Sequence, residues 1–93
     1  MFVGVCSFDL RLAENHSLKG KRQVLRKVKD RVSNRFNVSI AEVDSLDSWQ
    51  RCSLGIACVS REKPQVESQL SNVLTFIENL HLAEVENVHV EIL

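Results

Sequence analysis

Two segments of this chain, residues 17–36 and 63–80, repeat apolar residues at helical spacing along one side only. The first stripe is Leu18, Val24, Leu25, Val28 and Val32; the second is Val66, Leu70, Val73, Leu74, Ile77 and Leu80. A helix with one apolar side must lay it against another element. In a chain of 93 residues there is room for one modest core, so two such helices are best satisfied by sharing one face of a sheet. Ser17 suits the N-cap of the first helix, and Lys63 with Pro64 suits the opening turn of the second, where unpaired N–H groups are normal.

The remaining segments supply the strands. From Phe2 to Leu12 the even positions are Phe, Gly, Cys, Phe, Leu and Leu, a strand with one core face. Val38 to Val43 is rich in β-branched residues, but Val38 and Ile40 share one face while Ala41 and Val43 share the other, which predicts a bulge or a strand half-covered on both sides. After a turn cluster at Asp44 to Ser48, Arg51 to Arg61 places Cys52, Leu54, Ile56 and Cys58 on a common face. Val85 to Ile92 alternates Val88, Val90 and Ile92 against Asn87, His89 and Glu91. The order β-α-β-β-α-β with right-handed crossovers predicts an α+β, ferredoxin-like βαββαβ sandwich. Residues 1–93 then form a single domain: a four-stranded antiparallel sheet, strands one and three central, with both helices on one face.

Composition narrows the function. Hydrophobic residues at 44% and charged residues at 26%, with one Pro and three Gly, exclude a disordered or linker-rich chain. No apolar run approaches the roughly 20 residues that cross a bilayer, and MFVGVCSFDLRL has neither a charged leader nor a small-residue cleavage site, so a cytoplasmic protein with no membrane partner is expected. Cys6, Cys52 and Cys58 are odd in number, form no CxxC pair and sit in apolar runs, as buried reduced thiols do.

Net charge is zero, yet it is unevenly spread. Residues 17–36 hold eight of the twelve Lys and Arg against one acid, Asp30, whereas six acids follow Arg61. Lys and Arg can simply solvate the outer side of a helix. Helix-favouring composition, however, would mix in Glu at i,i+4 spacing, and only Asp30 offers that. The alternative is a phosphate-tracking surface, with Lys19, Lys21, Arg22, Arg26 and Lys29 as the contacts. Trp49, the only Trp, follows Leu46 near a hairpin tip. It either plugs an edge strand or stands exposed, where it could stack on a base or anchor a partner with Gln50 and Arg51.

The sheet face away from the helices should present Val3, Val5, Ser7, Ala41, Val43, Gly55, Ala57, Asn87, His89 and Glu91. Its small apolar centre predicts cover by a second subunit or a partner, which makes Trp49, Arg51, Val3, Val5, Val43 and Ala57 the candidate partner-binding residues. RNA-recognition sheets of this topology stack bases on aromatics, and none stands among these positions. Nothing suggests a catalytic site. His16, His81 and His89 lack ligand spacing, so no metal or cofactor is expected; the loop Ala13-Glu14-Asn15-His16 lacks the glycines of a phosphate cradle; Glu42 and Asp44, on one side of strand two, read as solvated edge residues.

Three motifs together carry a resemblance: Ser17-Leu18-Lys19 with Lys21-Arg22, Phe36-Asn37-Val38-Ser39 with Ala41-Glu42-Val43, and Trp49-Gln50-Arg51. Over nearly its whole length the chain resembles the YlxP-like family of small bacterial proteins, a domain of unknown function. Gly20 departs from the acidic residue common there in the family, so the glutamate of a capping box is missing. The resemblance implies a ferredoxin-like fold and no established catalytic activity. Members are often encoded beside translation and ribosome-maturation factors, which implies RNA-linked work. The leading expectation is therefore a non-enzymatic protein that binds structured RNA or a ribosomal subunit through helix one. Its rivals are a homodimeric interaction module, joined through the open sheet face or basic-to-acidic helix contacts, and a small-molecule sensor at a dimer interface.

Overall fold

The computed structural model describes residues 1–44 and 48–93. Six elements follow in the expected order: β1 Phe2–Arg11, α1 Leu18–Arg35, β2 Ser39–Asp44, β3 Arg51–Ser60, α2 Lys63–Asn79 and β4 Glu84–Ile92. The strands form one antiparallel sheet in the order β2-β3-β1-β4, so β1 and β3 are central. Their alternation sends Cys6, Phe8 and Leu10 of β1 and Cys52, Leu54, Ile56 and Cys58 of β3 into one core with Leu25, Val28 and Val32 of α1 and Val66, Leu70, Val73 and Ile77 of α2. Each fully buried Phe or Leu stabilises the fold by about 1.5–3 kcal/mol relative to exposure.

Both helices start where the sequence placed them. The Ser17 hydroxyl accepts the Gly20 amide at 3.0 Å, satisfying one orphan donor of the first turn of α1. At its other end, Phe36 meets Phe76 of α2 edge-on with ring centroids 5.4 Å apart, and the Arg35 guanidinium lies 5.1 Å from the Phe76 centroid. One helix cation is thus engaged with α2.

Two departures concern α1. Leu18, expected on the buried stripe, is 49% exposed, while Lys21, expected to face outward, is only 3% exposed. The physical reason lies in the helix period: Lys21 falls in line with Leu25, Val28 and Val32 at i+4, i+7 and i+11, so its aliphatic stem continues the stripe to the helix start.

Irregularity in the sheet is confined to its edges. A register shift between Glu42 and Asp44 resolves the imperfect pattern of β2 as a bulge. Glu42 then stands opposite Leu54, whose side chain is in the core, and Asp44 opposite Ser53, whose side chain is on the other face. They are not the one-sided pair expected from alternation, because the extra residue inverts the facing order. A second shift, between Ser7 and Asp9 against β4, is absorbed by Asn87 at φ 53, and its side chain donates to Asp9 at 2.8 Å.

Candidate functional site

Helix periodicity sorts the cations of α1 into distinct groups. Lys19, Arg22, Arg26 and Lys29 follow one another at i+3 and i+4, a single row about 15 Å long on the outer side of the helix. Lys19, Arg22 and Arg26 are exposed, Lys29 is half-buried, and among the described residues none of the four forms an ion pair. Their charge is left to solvent or to a ligand.

Lys21 does not belong to that row. Its ammonium donates to the Ser48 carbonyl at 2.7 Å, which removes it from any set of phosphate contacts. Ser48 belongs to the segment leading into β3, and the antiparallel register that sets Arg11 opposite Arg51 brings this segment to the end of β1, beside the start of α1. Asn15 completes the junction. Its Nδ2 donates to the Ser17 carbonyl at 2.7 Å and to the Trp49 carbonyl at 2.6 Å, while the Asn15 carbonyl accepts Gln50 Nε2 at 3.2 Å. The Leu12 amide donates to the Gln50 carbonyl at 2.7 Å, and the Gln50 amide to the Ser48 hydroxyl at 3.0 Å. Gly20 leaves the space this needs: a Cβ there would lie 2.1 Å from Asn15 Oδ1.

Trp49 rides on this junction with 58% of its surface exposed, so it is not an edge-strand plug. Leu46 lies outside the described residues. Arg51, expected to assist the indole, points elsewhere: its Nη2 lies 3.3 Å from Glu86 of β4, in a cluster where Arg11 also pairs with Glu84 and Glu86. The arginines at this end of the open sheet face are ion-paired, while Arg51 Nε is buried with no hydrogen-bond partner among the described residues. Asp9 adjoins this cluster, accepting from Ser53 and Asn87; these two bonds chiefly, with help from Arg51 and His89, hold its carboxyl below the usual range.

The rest of the open face is apolar, as expected. Val5, Ala41, Val43, Gly55 and Ala57 line a shallow concavity of about 670 Å³ bordered by His89 and Glu91. Gly55 forms its floor, with Val43 leaning over it so that a Cβ there would meet Val43 Cγ1 at 3.0 Å. Val3 pairs with Val59 at the end of the same face, and Val59 is 63% exposed. Among the described residues no cluster of three or more His, Cys, Asp or Glu could hold a metal ion, and no helix is long and apolar enough to cross a membrane.

Asn15 and Ser48 were not singled out by sequence. Their signal is topological: antiparallel pairing of β1 with β3 brings the loop after β1 against the segment before β3.

The architecture is that of a ferredoxin-like domain. It is shared with solved structures of low sequence identity: a structural-genomics protein, YJCS, at 11% identity with 96% of each chain covered and a TM-score of 0.61, and a de novo designed protein with ferredoxin fold, LFR1 1, at 18% identity with 98% of this chain and 85% of that one covered and a TM-score of 0.54. Residues 3–90 match the family described as Protein of unknown function (DUF503), and the chain belongs to that family. It is 44% identical over 77 residues to the Uncharacterized protein YlxP of Bacillus subtilis (strain 168), covering 83% of this chain and 84% of that protein.

Proposed function

We propose that this chain is a non-enzymatic RNA- or ribonucleoprotein-binding protein, linked to translation or ribosome maturation, that tracks phosphates with Lys19, Arg22, Arg26 and Lys29. The observation that carries this reading is the unbroken row of four cations with no ion-pair partner among the described residues. Neighbours at i+3 and i+4 stand about 5–6 Å apart at Cβ, a spacing that lets successive side chains reach successive phosphates of one strand. The test is binding to a structured RNA at two salt concentrations. Affinity should fall as salt rises, and Arg22→Ala with Arg26→Ala should flatten the log–log salt dependence by roughly 0.7–0.9 per cation removed. Absence of binding at low salt, or an unchanged slope in the double variant, would defeat the proposal. Co-sedimentation with ribosomal subunits, lost on raising salt, is the expected cellular counterpart.

A second reading, favoured by the concavity at Gly55, is that a second copy covers the open sheet face. Strands of ten, six, ten and nine residues, about 4.8 Å apart, give that face a flat area of roughly 550 Å². Side-chain relief brings it close to the ~800 Å² per partner of a stable interface. Exposed Val43 and Val59 are the residues such a contact would bury. Solution scattering should give a dimer that Val59→Lys converts to a folded monomer; a wild-type particle that stays monomeric at high micromolar concentration removes this reading.

A further inference from the structure

We propose that Trp49 is a stacking platform for an unpaired base, so that the ligand is single-stranded or looped RNA and not an uninterrupted duplex. This rests on the phosphate-binding reading of α1 and specifies the ligand class for the same surface.

Exposure alone does not make a stacking site. What distinguishes Trp49 is that its indole is open while the main chain carrying it is fastened on both sides, through Lys21 to Ser48, Asn15 to Trp49 and Leu12 to Gln50. Lys21, a charged residue only 3% exposed, directs its ammonium to the Ser48 carbonyl and so ties α1 to this segment. The main chain that carries the indole is therefore held in place, and only the two side-chain torsions of Trp49 are left to be ordered when a base stacks on it.

The neighbourhood selects the partner. Asn15 Nδ2 bonds the carbonyls of both Ser17 and Trp49, fixing the indole's backbone beside the start of the helix whose row begins at Lys19 and Arg22. The first turn of α1 contains no acid. An exposed aromatic next to a line of cations offers a flat apolar surface for a base and charges for the phosphates that follow it. Paired bases of an A-form helix hide their faces in the stack, so a duplex could use the cations and not the indole. The open sheet face, without aromatics, supplies no competing platform.

Because Trp49 is the chain's only Trp, its fluorescence reports on the site directly. The full chain is titrated at low salt with a stem-loop RNA and with the blunt duplex of its stem. The stem-loop should quench Trp49 and bind more tightly, and the duplex should bind without quenching. Trp49→Ala should weaken stem-loop binding roughly tenfold or more while leaving duplex binding and the salt slope unchanged, with Trp49→Phe retaining part of the preference. A matching melting temperature shows each variant folded. If Arg22→Ala and Arg26→Ala weaken binding but Trp49→Ala does not, the stacking inference falls and the phosphate reading stands. Failure of both RNAs to bind overturns both. If Trp49→Ala releases the protein from ribosomal subunits yet leaves naked stem-loop binding intact, the indole contacts protein and the inference is likewise overturned.

Discussion

Val66 of α2 lies so close over Gly4 of β1 that a Cβ at residue 4 would come within 2.2 Å of Val66 Cγ1 and 2.9 Å of Leu70 Cδ1. The helix rests directly on strand backbone. Gly4→Ala should therefore overpack the core and cost about 1–3 kcal/mol, read as a lower denaturant midpoint with an unchanged slope. Gly4→Ala with Val66→Ala should recover part of the loss, since the second change removes the offending methyls.

Lys21 allows a separation of packing from polar fastening. Lys21→Met keeps an unbranched stem in the stripe and removes the donor to Ser48, so global stability should change little while hydrogen exchange at the amides of Trp49 and Gln50 quickens. Lys21→Ala also empties the stem's volume and should cost roughly 2 kcal/mol more. Equal exchange rates in wild type and Lys21→Met would show that the bond does not hold the segment.

The fold was legible because both helices are one-sided and β1 and β3 alternate cleanly; the pattern fixes which face is buried before any contact is known. Period alone places Lys21 on the buried side, since 21, 25, 28 and 32 share one stripe, whereas its charge suggests the outer side; a four-carbon stem reaching a carbonyl reconciles the two. The open apolar face followed from the same alternation. The exposure of Trp49 and the engagement of Arg51 with Glu86 were not legible: each depends on partners more than thirty residues away, brought in by sheet register.

Asp9 gives a pH dependence of defined sign. Its carboxyl is lowered by the bonds from Ser53 and Asn87, so the ionised form is favoured in the folded state. Its contribution is complete above the ordinary carboxylate range and is lost as pH falls through the lowered value. Asp9→Asn should thus bring the melting temperatures at neutral and strongly acidic pH closer together.

The cysteines should be silent in the native protein. Cys6, Cys52 and Cys58 are free and buried, and burial raises all three thiols, Cys52 to about 11. A thiol-reactive dye at neutral pH should label them only at the rate of opening, with all three reacting promptly in denaturant. Prompt native labelling at Cys52 would contradict its burial.

The first turn of α1 carries Lys19 and no acid, with Arg22 just beyond, so exposed positive groups sit at the positive pole of the helix dipole. Each is unfavourable there by about 0.3–1 kcal/mol at low ionic strength. An anion at this turn would relieve the repulsion only in the folded chain. Conformational stability and ligand occupancy are thereby thermodynamically linked, and the melting temperature becomes a gauge for screening polyanions without a label.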